Sequence, residues 1–224
     1  FFDLDDTLWA FSLNARDTYE EMYWKYEYNR FFDSFEHYYS LYHHRNLELW
    51  AEYADGKVTK EELNRQRYLY PLKAVGICDS ALAKAYEKDA LAAIPTKSKL
   101  MPHAREVLEY LSSKYNLYIL SNGFKELQSH KMHSSGIDKY FKKIVLSDDI
   151  GVLKPWPEIF YFALSATQSE LKDSLMIGDS WENDIAGAAG VGMHQVFYNL
   201  SGRMDLPFMP TYQISDLKEL LDLL

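Results

Sequence analysis

One cysteine, Cys78, stands alone in 224 residues, so no intrachain disulfide framework staples this chain and a reducing compartment suits it. Cys78 itself reads as a small buried hydrophobe. No apolar run approaches the ~18–20 residues of a membrane span, and no basic segment leads into an apolar one as in a signal peptide. Basic residues are few, 24 Lys and Arg against 33 Asp and Glu, for a net charge of −9. That balance argues against a nucleic-acid polymer held on a broad basic surface; a small phosphorylated ligand needs only a metal or a few local lysines. No internal repeat or low-complexity segment is visible. These absences predict a cytoplasmic protein with no membrane partner, a monomer or homodimer.

The remaining composition is that of an ordinary globular protein, 47% hydrophobic and 25% charged. The length fits a main domain carrying a smaller inserted or appended one. The chain opens on FFDLDDTLWAF, without a methionine. A strand of typical length holds ~5–6 residues, so residues ahead of Phe1 are expected.

From residue 13 to residue 95 the pattern is helical, with about four segments. NARDTYEEMYWKYEYN and SFEHYYSLYHHRNLELWAEYA carry aromatic and aliphatic residues at three- and four-residue spacings. Ala54-Asp55-Gly56 breaks the pattern, and Thr59 with Glu62 reads as a capping box. A fourth helix should run from near Asp79 to Ala93. After Pro95 short apolar runs alternate with amphipathic segments: LYILSNG, KIVLSDD, SLMIGDS and HQVFYN are separated by helical stretches. A weak strand, TYQI, and a helix, SDLKELLDLL, close the chain. Such alternation marks a parallel α/β sheet whose strands are covered on both faces. The predicted architecture is a Rossmann-like parallel α/β core, residues 1–12 and 96–224, with an inserted helical cap, residues 13–95.

In open parallel sheets ligands gather at the carboxyl ends of the strands, and each run here ends in small or ionisable residues. Asp3-Leu4-Asp5-Asp6-Thr7 follows FF; Ser121-Asn122-Gly123 follows LYIL; Ser147-Asp148-Asp149 follows KIVL, with Lys154 just beyond; Gly178-Asp179-Ser180 follows LMI, with Asp184 one turn later. Asp3, Asp5 and Asp6 repel one another, so a hard cation is the expected compensation. Asp3 and Asp179 offer carboxylates, and the backbone carbonyl of Asp5 faces the same site where the chain turns. Few carboxylates with open water positions suit Mg²⁺, and no His or Cys pattern here supplies zinc ligands. Ser121 offers a hydroxyl, Asn122 and Gly123 backbone N–H groups, and Lys154 a positive charge, together a phosphate cradle. Phosphoryl transfer needs such positioning plus an in-line nucleophile. Asp3 is the expected nucleophile and Asp5 the expected acid and base.

DLDDTL, LSNG, Lys154-Pro155 and GDSWENDIAGA resemble, in order and spacing, the four motifs of the haloacid dehalogenase-like (HAD) hydrolase superfamily. The resemblance covers the whole α/β part, and a helical insert between the first two motifs resembles the C1-capped phosphatase branch. It implies an aspartyl-phosphate on Asp3, with Mg²⁺ held by Asp3, the Asp5 carbonyl and Asp179. It further implies Asp184 as a metal residue acting through water or orienting Lys154, and Thr7 as a phosphate-side helper of the first loop. Dehalogenases of the superfamily lack an aspartate at the position of Asp5, so Asp5 favours phosphate ester hydrolysis. Trp9, Ala10 and Phe11, with the tail PTYQISDLKELL, resemble the nucleotidases of that branch, which makes a nucleoside 5′-monophosphate the expected substrate. Sugar-phosphate and phosphoglycolate phosphatases, a phosphomutase and a non-catalytic binding module are the alternatives. Trp9 and Phe11 are the candidate specificity residues. Tyr23, Trp24, Tyr26, Tyr28, Tyr38, Tyr39, Tyr42 and Trp50 read as packing within the helices rather than base-stacking platforms, and His37, His43 and His44 as surface or packing residues.

Overall fold

Phe2 is hydrogen-bonded on one side and Asp3 on the other in the computed structural model, which describes residues 1–224. Phe2 N donates to Tyr118 O (2.8 Å), its carbonyl accepts from Leu120 N (2.9 Å), and Asp3 N donates to Ile177 O (2.9 Å). The apolar opening is thus the middle of a sheet. Strand β1 (Tyr118–Ser121) pairs parallel with β2 (Lys143–Leu146). Strand β3 (Leu175–Gly178) pairs parallel with β4 (His194–Tyr198), and β4 with β5 (Tyr212–Ile214). Phe2 bridges β1 at Ile119 and β3 at Ile177, both in parallel, so the order is β2, β1, Phe1–Asp3, β3, β4, β5. A cluster including Phe1, Leu120, Val145, Phe160, Met176 and Met193 fills the core beside the sheet. Apolar strands of this kind stay in place because both faces are removed from water.

The sheet belongs to the first of two compact units, Phe1–Ser12 with Lys97–Leu224; Leu13–Thr96 is the second. Helix α1 (Phe11–Lys25) starts at the end of the first stretch. Two segments of the first unit, outgoing and returning, pair with each other. Trp9 forms an antiparallel bridge with Leu100, Ala10 N donates to Lys99 O (3.1 Å), Met101 N to Leu8 O (2.8 Å) and the Trp9 indole to Lys97 O (3.2 Å).

The second unit holds α2 (Phe35–Ala54), α3 (Lys60–Ala74) and α4 (Ser80–Ala93). Ser34, Thr59 and Asp79 cap them, accepting from His37 N (3.1 Å), Glu62 N (3.1 Å) and Leu82 N (2.8 Å). The expected box at Thr59 is half formed, because the Glu62 carboxylate bonds to Arg65 and Gln66. Tyr19, Tyr23, Tyr28, Tyr38, Tyr42, Tyr68 and Tyr86 are buried together, with the Tyr28 and Tyr86 rings stacked at 4.8 Å and the Tyr19 and Tyr42 hydroxyls 2.6 Å apart. Packing therefore accounts for Tyr23, Tyr28, Tyr38 and Tyr42, whereas Trp24 is exposed. Cys78 is exposed as well, contrary to the buried reading; it sits in the short turn before the Asp79 cap, and connecting segments run over the surface.

In the first unit α5 (Ala104–Ser112), α6 (Lys125–Ser135) and α7 (Pro157–Thr167) alternate with the strands. A six-residue π-type stretch, Trp181–Ala186, leads into the short α8 (Gly187–Gly190). A final turn, α9 (Leu220–Leu223), ends the chain. No helix is long and apolar enough to cross a membrane.

Candidate active site

Lys154 is buried, and its ammonium donates to three oxygens: Asp184 Oδ1 (2.6 Å), Asp3 Oδ1 (2.7 Å) and Leu120 O (2.8 Å). Three protons meet three acceptors, and the geometry depends on a specific backbone clamp. Asn122 at the end of β1 accepts from Lys154 N (2.7 Å) through Oδ1 and donates to Lys154 O (3.0 Å) through Nδ2. Burial opposes the Lys154 charge, but Asp184 and Asp3 beside it prevail and hold its pKa above the ordinary value.

Asp3, Asp179 and Asp184 each bring a carboxylate oxygen within 4.8 Å of the others. One ammonium cannot neutralise three buried or half-buried carboxylates. Burial pushes Asp3 well up, with Lys154 pulling against it and Asp184 adding to it. Burial, then the neighbouring Asp184, pushes Asp179 up to about 7. An all-oxygen cluster with surplus negative charge is the donor chemistry a hard divalent cation satisfies. Asp5 and Asp6 go elsewhere. Asp6, at a left-handed φ of 59°, accepts from Ser12 N (2.9 Å) and Ser12 Oγ (2.6 Å) and so caps the start of α1.

Local sequence explains how the acids approach so closely. A Cβ at Gly178 would lie 2.2 Å from Asp184 Oδ2, so only glycine lets the π-type turn bring Asp184 back to the end of β3. There Asp184 Oδ2 accepts from Ser180 N (3.1 Å), and Ser180 Oγ caps Asn183 N (3.2 Å). Gly123 has the same role beside Gln128, whose Nε2 would stand 2.0 Å from a Cβ there.

Several expected site residues sit differently from the sequence reading. Thr7 is fully buried and its hydroxyl is committed to Asp179, donating to Oδ1 (2.9 Å) and accepting from Asp179 N (3.1 Å). That hydroxyl braces an acid. Trp9 is fully buried against the returning chain, and Phe11 is half-buried. The Asn122 amide grips Lys154, and Gly123 N donates to Ser121 Oγ (3.2 Å). Ser121 Oγ also accepts from Gln128 Nε2 (2.8 Å), which leaves its own proton to donate outward. Asp148 and Asp149 accept backbone N–H groups of Lys125 (3.1 Å) and Leu146 (3.0 Å), a structural use. A cavity of about 670 Å³ lies at the opposite ends of the strands, lined by Tyr118, Leu175, His194 and Tyr212 among others, and none of the clustered acids borders it.

Two site residues had no signal in the strand-end pattern. Gln128 and Lys131 lie mid-helix on the buried face of α6 and meet Asp5. Lys131 Nζ stands 2.7 Å and 2.9 Å from the two Asp5 oxygens, and Gln128 Nε2 donates to Asp5 Oδ2 (2.9 Å). Their three-residue spacing, which puts both on one helix face, was the cue available.

Residues 1–192 match the family described as haloacid dehalogenase-like hydrolase. Pyrimidine 5′-nucleotidase YjjG of Escherichia coli is 30% identical over 226 aligned positions, covering 100% of this chain and 96% of its own length. Pyrimidine 5′-nucleotidase PynA of Streptococcus pneumoniae is 28% identical, with 100% and 93% covered. Among solved structures, the magnesium-bound HAD-hydrolase YfnB of Bacillus subtilis superposes with a TM-score of 0.85 at 28% identity, over 99% of this chain and 96% of that one. Sequence, sheet order and strand-end acids agree, and this chain belongs to the haloacid dehalogenase-like hydrolases.

Proposed function

We propose that the chain is a Mg²⁺-dependent phosphatase of small phosphomonoesters that works through an aspartyl-phosphate on Asp3. Its substrates are nucleoside 5′-monophosphates, pyrimidine ones first. The observation that carries the reaction class is the buried Asp3–Lys154–Asp184 chain of contacts at 2.6–2.7 Å, with Asp179 beside it, at the carboxyl ends of parallel strands. The substrate class is supported by two relatives named for that activity that align over the whole chain.

Lys154 engages Asp3 Oδ1 and so fixes the carboxylate with Oδ2 as the attacking atom. Oδ2 forms a bond to phosphorus while the bond from phosphorus to the ester oxygen breaks, and Asp5 gives that oxygen a proton. Water then attacks the aspartyl-phosphate, Asp5 takes its proton, and inorganic phosphate leaves with Asp3 restored. Ser121, with both acceptor positions already used, donates its proton to a phosphoryl oxygen. Asp184 holds Lys154 in place, and Thr7 holds Asp179. The fitted cation would be held by Asp3, Asp179, the Asp5 carbonyl and Asp184, and when bound it supplies neutralisation of the acids and of the phosphoryl oxygens.

Phosphate release from UMP, CMP, AMP, glucose 6-phosphate and phosphoglycolate, with and without Mg²⁺, tests this reading. Mg²⁺-dependent turnover with UMP and CMP preferred is expected, and Asp3→Asn should lower kcat by ~10³-fold or more. Full activity in Asp3→Asn would refute the covalent route, and a preference for sugar phosphates would refute the substrate class.

A further inference from the structure

Lys131 is an uneconomical residue unless it serves the reaction. Its ammonium is buried, and its side chain is 3% exposed against 28% for Asp5. Buried ion pairs contribute little net stability because desolvation offsets attraction. Gln128, which shares the grip on Asp5, keeps its amide oxygen buried with no hydrogen-bond partner, a further cost with no return in folding. Three contacts fix the Lys131 headgroup. Asp5 takes it through both oxygens, and the Trp9 and Phe11 rings lie with centroids 4.8 Å and 5.0 Å from Nζ. Two aromatic faces and a bidentate carboxylate leave the ammonium a single place to stand.

We propose that Lys131 is a positioning residue for Asp5, an inference that rests on the phosphatase reading. Lys131 sets the rotamer and height of the Asp5 carboxylate so that one oxygen meets the ester oxygen in the first half-reaction and the attacking water in the second. Trp9 and Phe11 fix Lys131, which gives these two aromatics a place in the reaction without contact with the substrate. Gln128 ties the same carboxylate to Ser121 Oγ (2.8 Å), so the proton-transfer group and the phosphate-side hydroxyl are registered by one helix face.

The test is a double-mutant cycle read on two substrates, with folding of each variant checked by circular dichroism and thermal unfolding. UMP has a poor leaving group that needs a proton, whereas p-nitrophenyl phosphate releases a stable phenolate unaided. Lys131→Met should lower kcat/KM for UMP by about 10- to 100-fold, with the loss in kcat rather than KM. The same variant should change kcat/KM for p-nitrophenyl phosphate by less than about 3-fold. Asp5→Asn should show the same asymmetry, and adding Lys131→Met to it should cost nothing more, because Lys131 acts through Asp5. Lys131→Arg, which keeps the ion pair, should recover part of the loss. Additive losses, or equal losses in kcat/KM on both substrates, would overturn the positioning role while leaving the phosphatase reading intact. A folded wild-type protein inactive on both substrates with Mg²⁺ would overturn the phosphatase reading, and the positioning role with it.

Discussion

Asp3, Asp5 and Asp6 sit within four residues and meet three different partners: Lys154, Lys131 and the first turn of α1. Their mutual repulsion is relieved by separation as much as by neutralisation. The unneutralised remainder shows at Asp179, whose pKa burial and then Asp184 push up to about 7 from 3.8. Folded Asp179 therefore keeps a proton that the unfolded chain has already released. Its contribution to stability is greatest below the unfolded value and is lost as pH rises toward about 7. For the metal-free protein, the Tm of wild type minus that of Asp179→Asn should decline between pH 4 and pH 7, and saturating Mg²⁺ should remove the decline because the cation takes the deprotonated form. A Tm difference flat with pH would contradict the shift. At this scale the strand-end acids, Ser121 and Lys154 were legible because their residue types carry charge or hydroxyls at fixed places in the pattern. The bond from Thr7 to Asp179 was not legible, because a hydroxyl serves a carboxylate or a phosphate equally well, and sequence does not say which is nearer.

Among the elements, the strands were readable because parallel strands are short apolar runs, and α7 and the cap at Thr59 followed from ordinary signals, whereas the cap at Asp79 emerged only in the structure. The π-type turn at Trp181–Ala186 was not readable, since a widened turn leaves no distinct spacing in the sequence. It matters because it returns Asp184 to the end of β3 over Gly178. Asp184 is held there by Lys154 and Ser180 N and cannot yield to a methyl group. Gly178→Ala should therefore destabilise the fold by about 1–3 kcal/mol in chemical denaturation and weaken Mg²⁺ binding in calorimetry. Unchanged values for both would mean that Asp184 has another place to go. Helix α6 was recognised as a helix, but its inner face of Gln128, Lys131 and Ser135 was not recognised as part of a site. A polar residue on the inside of a helix can be read only once its partner is known.

On the scale of the molecule, the abundance of tyrosine in the sequence becomes the core of the helical unit. Most of those hydroxyls find partners, such as Tyr86 donating to Tyr19 O at 2.8 Å. The Tyr28 hydroxyl is buried without one, and burial raises its pKa. A phenol in that position costs desolvation with nothing in return. Tyr28→Phe should keep the stacking with Tyr86 and raise stability by about 1 kcal/mol, measured by urea unfolding; a loss of that size would reveal a bridging water. Whole-molecule features were the easiest to anticipate and the least specific: the insertion was visible from the change of rhythm at Pro95, whereas the fate of each aromatic was not.

The ladder between Leu8–Ala10 and Lys99–Met101 bears on how such a protein can change over evolutionary time. The core backbone closes on itself at that ladder before the helical unit begins, so to the core Leu13–Thr96 is a loop. The entropic penalty of a loop rises only slowly with its length. Inserts of other lengths and sequences can therefore be exchanged at this one point without disturbing the aspartate loop a few residues away. The ladder makes the catalytic unit a fixed chassis and the helical unit an interchangeable part, open to selection on a different timescale.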